Sequence, residues 1–142
     1  MPKQNFKNHS RIIPLWHYIT LGVIVAVLIG SIINLVKSSK ENIYSASLLI
    51  TISLILASIF WYARAFALKA QDRAIRAEEN LRHFALTGKL LDKRLRTSQI
   101  IALRFAPDQE FIELVEKAVE NKLRSSEIKK SIVNWRPDHH RV

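Results

Sequence analysis

Cysteine is absent from the 142 residues, which excludes disulfides, thiolate metal sites and cysteine nucleophiles. Glycine occurs only at 22, 30 and 88, too sparsely for a glycine-rich phosphate loop. The five histidines show neither HExxH nor any Cys/His zinc spacing. Acidic residues are also few, 12 against 22 lysines and arginines, for a net charge of +10. No cofactor or metal is expected, and no nucleophile–base constellation stands out, so the chain reads as a non-enzyme.

What is present is one uninterrupted stretch, Ile43 to Leu86, with neither glycine nor proline. Its first half is apolar and its second charged, so it reads as a single helix that crosses a membrane and continues into water. At about 1.5 Å per residue it measures roughly 65 Å, about twice a bilayer core. Aliphatic residues concentrate between Ile12 and Leu68, which argues for a membrane part joined to an aqueous part.

The chain then divides in order. Residues 1–11 are a basic N-terminus, expected to order only where it meets the membrane. Residues 12–36 form the first span, with Ser10 as N-cap and Pro14 in the first turn. Gly22, Ala26 and Gly30 recur every four residues, a small-residue face that lets another helix approach closely, or simply ordinary bilayer composition. The linker at 37–42, KSSKEN, is short enough that the spans must be antiparallel neighbours. The second span covers 43–63. Trp16, Tyr18, Trp61, Tyr62 and Arg64 fall at one membrane interface, where aromatic belts and snorkelling arginines belong. Lys3, Lys7, Arg11, Arg64, Lys69, Arg73 and Arg76 flank the spans on the side opposite the turn. The positive-inside rule therefore places both termini in the cytoplasm.

From 64 to 88 the second helix is expected to continue as a cytoplasmic stalk ended by Gly88 at C′. Phe60, Ala63, Ala67, Ala70, Ala74, Ala77, Leu81 and Phe84 alternate spacings of three and four, a heptad seam that extends back through Leu56, Ser53, Leu49 and Ala46. Such a seam predicts a coiled coil or oligomer, or a face for the protein's own C-terminal part. Asp72–Arg76, Glu78–Arg82 and Glu79–His83 have the spacing of supporting ion pairs.

Residues 89–142 read as a small module of three short helices. Thr97 or Ser98 caps the first, Pro107 and Asp108 open the second, and Ser125 or Ser126 opens the third, which carries Ile128, Ile132, Val133 and Trp135. The module is expected to pack on the stalk near Leu81 and Phe84. Two places invite a partner or lipid contact. His17 lies just inside the first span, as an interfacial residue or a functional one. Trp135, Arg136, His139, His140 and Arg141 form a polar-aromatic ending that either docks on a partner or closes the module. Glu113 and Glu116 share a helix face, but one that reads as solvated.

The segments KNHSRIIPLWHY, HFALTGKLLDKRL, QIIALRFAPDQEF and EIKKSIVNWRPDHHRV resemble a family of small two-span bacterial membrane proteins, found among Bacteroidota and known only as a domain of unknown function. The resemblance covers nearly the whole chain and implies two spans and a bacterial inner membrane, with no activity attached.

The reading is an all-α membrane protein: a two-span helical hairpin, a stalk and a helical cap. Its expected role is structural or accessory, through helix–helix association with itself or a larger membrane complex. A tethered module binding anionic lipid, nucleic acid or a signalling partner is the alternative, with nucleic acid disfavoured by interspersed acidic residues. An oligomeric channel or transporter component is a further one, weakened by the lack of an ionisable stripe.

Overall fold

The computed structural model describes residues 4–9 and 12–138. Among these the regular structure is wholly helical. A π-helical turn, Leu15–Thr20, leads into α1 (Leu21–Lys37), followed by α2 (Ile43–Thr87), α3 (Thr97–Leu103), α4 (Asp108–Glu120) and α5 (Ser125–Ser131). The chain forms two compact units, and their boundary at Ala67 and Leu68 falls inside α2.

The first unit contains residues 12–67. Runs of Leu, Ile and Val without a breaker make its helices, and the hydroxyls among them bond within the helix. Ser31, Ser53 and Ser58 each donate to the carbonyl four residues back, at 2.8, 2.8 and 2.9 Å. That leaves few polar groups in need of water, as an apolar surrounding demands. α1 and α2 meet through the buried Ser31–Ser53 hydroxyl pair, 3.2 Å apart, and through Trp16 stacked on Phe60 with centroids 4.4 Å apart. Most other apolar side chains point outward. Only 6% and 11% of the most apolar windows of Leu15–Lys37 and Ile43–Thr87 are buried, so neither is a core helix of this unit. Both are long and apolar enough to cross a membrane.

Two expectations change here. The first helix begins at Leu15, later than Ile12, and in a wide turn in which the Thr20 hydroxyl reaches back five residues to the Leu15 carbonyl at 3.0 Å. The expected N-cap, Ser10, lies outside the described residues. The heptad seam does not run back intact through the apolar half of α2: Ala46 and Ser53 are buried, but Leu49 and Leu56 are about half exposed, and the half-buried Ile50 and Ala57 take their places. A straight helix has 3.6 residues per turn, so the stripe drifts from one set of positions to the next.

The second unit contains residues 4–9 and 68–138. Its core is built by α3, α4 and α5 around Leu103, Phe105, Phe111, Ala118 and Ile128, all fully buried. The short helices start on a repeated device, RTSQ at 96–99 and RSSE at 124–127. In each, the fourth residue's side chain accepts the N–H of the first, Gln99 Oε1 from Arg96 at 2.7 Å and Glu127 Oε2 from Arg124 at 2.6 Å. The expected caps at Thr97 and Ser125 therefore move one residue earlier, because the back-bonding Gln and Glu define the start. The third helix stops at Ser131, so Val133 and Trp135 lie beyond it.

α2 ends at Gly88, whose φ of +73° and N–H bond to the Phe84 carbonyl at 2.8 Å make the left-handed stop expected of it. α4 ends similarly without glycine. Lys122 takes a φ of 50°, and the Leu123 N–H bonds the Ala118 carbonyl at 3.2 Å. A side chain in this region is strained, so Lys122→Gly should stabilise the unit by about 1 kcal/mol. A melting experiment on the full chain checks it; a lowered midpoint would contradict the strain argument.

Candidate functional site

The polar half of α2 presents two different faces. One carries Ile75 and Glu79, both buried, together with Asn80, Arg82 and His83, and the C-terminal module docks there. Asn80 Oδ1 accepts the Leu91 N–H at 2.9 Å, and His83 Nδ1 lies 2.7 Å from the Lys89 carbonyl oxygen. Arg82 is the centre of the contact. Its guanidinium donates to Glu79 at 3.0 Å, to Asp108 at 2.7 Å and to the Ala106 carbonyl at 2.8 Å, and it lies 4.2 Å from the centroid of the Phe111 ring. Asp108 stands in the first turn of α4, where the helix dipole favours an anion.

The other face carries Ala70, Ala74, Ala77, Leu81 and Phe84. All five are exposed, Leu81 by 67% and Phe84 by 50%. The expectation that the module packs near Leu81 and Phe84 is therefore corrected. Arg82 and Glu79 draw it to the adjacent face, and the alanine seam stays bare. None of the three expected ion pairs along α2 forms among the described residues. Arg82 is taken by Glu79, Asp108 and Ala106, and His83 by the Lys89 carbonyl. Glu78 consequently stands exposed without an ion-pair partner among the described residues, and Arg73, a member of none of these pairs, is likewise exposed.

The N-terminal residues are part of this unit, contrary to the expectation that they order only at a membrane. Gln4 and Asp138 clasp each other. The Asp138 N–H donates to Gln4 Oε1 at 2.8 Å, and Gln4 Nε2 approaches the Asp138 carbonyl at 3.5 Å. His9 packs between Phe6, Phe105 and Trp135, with ring centroids 5.8 to 5.9 Å away, and its Nε2 lies 3.0 Å from Lys129 Nζ. Ring contacts and hydrogen bonds attach the segment, although Phe6 itself stays exposed, and its sequence signal is Phe6 within a polar run.

Trp135 lies 4.9 Å from Phe105 and beside His9, half-buried within the module, while the Arg136 side chain is exposed and its N–H donates to the Phe105 carbonyl at 2.7 Å. Arg104, buried, pairs with Asp138 at 3.1 Å. Arg104, Arg136 and Asp138, with Ala74, Ile75, Glu78 and Glu79 of α2, line a cleft of about 460 Å³. His139, His140 and Arg141 lie outside the described residues. Among the described residues no three His, Asp or Glu side chains are placed to share a metal ion.

The backbone after α5 is held by Glu110, whose carboxylate accepts the Val133 and Asn134 N–H groups and Asn134 Nδ2, each at 2.9 Å. Partial burial pushes this carboxyl up, but the three hydrogen bonds outweigh it and hold it below its ordinary 4.5. A depressed folded pKa means that the stabilisation is complete above about 4.5 and is lost as the pH falls through the folded value. Acidification should therefore release residues 133–138, read as faster amide exchange there, and Glu110→Gln should abolish that acid step. An unchanged acid profile in Glu110→Gln would refute the assignment. In the loop before α3, the Arg94 guanidinium and its N–H hold Asp92 down to about 2.

In the first unit, Gly22, Ala26 and Gly30 are exposed, and a Cβ on either glycine would meet nothing within 4 Å. The small-residue face thus points away from α2. Trp16 turns inward on Phe60, whereas Tyr18 and Trp61 point outward. Tyr62 stacks on Phe66 along the helix, Arg64 and Ala67 are half-buried and Ala63 is exposed. His17 Nδ1 lies 2.9 Å from the Ile13 carbonyl oxygen.

These features define an all-helical chain in which two helices long and apolar enough to cross a membrane accompany a small helical module. The chain belongs to DUF6526, a family of unknown function, whose model matches residues 1–142. The resemblance read from its sequence motifs thus holds at the level of an uncharacterised family. No curated protein and no solved structure matches it.

Proposed function

We propose that the chain is a non-enzymatic, two-span protein of a bacterial inner membrane that serves as a structural or accessory subunit through helix–helix association. The observation that carries this reading is the exposed seam on the polar half of α2, which the chain's own module borders only at Ala74. An exposed leucine and phenylalanine in line with three alanines favour a covering helix.

The membrane part rests on the outward-facing apolar surface of α1 and the first half of α2. Exposed to water, that surface would be a large aggregation liability; in lipid it is the ordinary condition. The hairpin topology draws further support from the clasp of Gln4 with Asp138. Segments that touch lie on one side of a membrane, so the helices between them cross an even number of times. The excess of Lys and Arg flanking the spans puts that side in the cytoplasm.

The missing cysteines make the test direct. Ser39→Cys in the turn should react with a membrane-impermeant maleimide in intact cells, and Gln109→Cys on α4 only after lysis. Labelling of Gln109→Cys in intact cells, or release of the protein from membranes by alkaline carbonate, would overturn the reading.

A further inference from the structure

On the reading just given, the bare seam has an occupant to name. We infer that it pairs with the same seam of a second copy of this chain, in parallel and in register. Copies inserted with one topology send α2 out of the membrane in the same direction, so two such helices can meet only in parallel. The spacing of the seam, alternately three and four residues from Ala67 to Phe84, is the 3.5-residue repeat that two like helices satisfy by supercoiling.

The flanking charges fit this pairing. With Ala67, Ala74 and Leu81 at a, and Ala70, Ala77 and Phe84 at d, Arg73 falls at g and Glu78 at e. In a parallel coiled coil each g residue meets the e residue five positions later on the other helix. Arg73 therefore faces Glu78 of the second copy, and by two-fold symmetry Glu78 faces Arg73 of the second copy. Both side chains are exposed and lack an ion-pair partner among the described residues, because Arg82, the expected partner of Glu78, is held by Glu79 and Asp108. The other flanking pairs at g and e, Phe66 with Gln71 and Asn80 with Ala85, contain no charge. Like charges therefore never meet in this register. The module docks mainly on the opposite side, through Ile75 and Arg82 at b, His83 at c, Glu79 at f and Asn80 at g, and its cleft reaches the edge of the seam at Gln71, Ala74 and Glu78. Alanine at four of six a and d positions from 67 to 84 also brings the helices close, and the end of the seam is closed by Leu81 and Phe84.

The test uses the full chain in its membrane, with Ala77→Cys at d as reporter and Arg76→Cys, on the outer side of the helix, as control. Oxidation should give a disulfide dimer with Ala77→Cys and not with Arg76→Cys, since a seam position lies within disulfide reach of its copy. Arg73→Glu alone places two like pairs across the interface, as does Glu78→Arg alone. Each should reduce the cross-linked fraction about tenfold. Combining both changes in one chain reverses each pair and should restore the dimer. Co-expressing the two single variants under different tags should give a cross-link between them in preference to either with itself. This last result requires a second copy, in parallel and in this register. Dimers insensitive to the charge changes would overturn the register while leaving association intact. Absence of any cross-link at Ala77→Cys would overturn the self-pairing, and the maleimide test of topology remains independent of both outcomes.

Discussion

Phe105→Ala should cost the C-terminal unit about 3–5 kcal/mol, the range for a fully buried aromatic cut back to a methyl group. Phe105 is 0% exposed and meets both ends of the described chain, His9 on one side and Trp135 on the other. Lys129 and Arg104 also lie within 5.7 and 4.6 Å of its ring. At about 0.05–0.15 kcal/mol per residue, a unit of this size has a total stability of the same order as the loss. The expectation is thus not a modest shift but release of residues 4–9 and 132–138, followed by melting of the module. Thermal unfolding of the full chain in mild detergent, with limited proteolysis as a second readout, checks it. Phe105→Leu keeps most of the volume and should cost less than about 1.5 kcal/mol. An alanine variant that melts and resists protease like the native chain would refute the central place given to this ring.

Arg82→Ala should be comparably severe for a different reason. Arg82 and Glu79 have side chains only 12% and 7% exposed, so removing the guanidinium strands a buried carboxylate and orphans the Ala106 carbonyl. Breaking a buried pair from one side costs about 3–5 kcal/mol. Asp108 is 61% exposed and can return to water, so its share is small. Arg82→Lys should recover only part, since an ammonium cannot bridge three acceptors in the plane of a guanidinium. The discriminating variant is Glu79→Gln combined with Arg82→Met, which removes both charges and should be more stable than Arg82→Ala alone. If the double variant is the worse of the two, the loss comes from packing against Phe111 and not from an unpaired charge.

Much of this architecture could be read from residue order. The long helix without a breaker, the stop at Gly88 and the opening of α4 at Pro107 and Asp108 all follow from local chemistry, and local chemistry is what a sequence displays. The errors occur where a long-range contact overrules a local preference. Glu78–Arg82 has good spacing, but Arg82 finds a carbonyl and a carboxylate 24 and 26 residues away. The third helix has apolar residues to continue past Ser131, but the Glu110 carboxylate captures the next two free N–H groups. Residues 4–9 read as a basic terminus that orders only at a membrane, because a lone phenylalanine and a histidine carry no periodicity to announce a docking site. The repeat RTSQI and RSSEI was legible and would have moved both helix starts to the arginines.

The clasp between Gln4 and Asp138 joins residues 134 apart in the chain, which makes time a part of this fold. Translation at about 5–20 residues per second puts on the order of ten seconds between the synthesis of the two halves. During that interval both apolar helices leave the ribosome, while Phe6 and His9 wait with nothing to bind. A chain that stops short of Asp138 then has a module that cannot close. Its first residues stay open to proteases, so a finished copy differs from an aborted one at both ends at once.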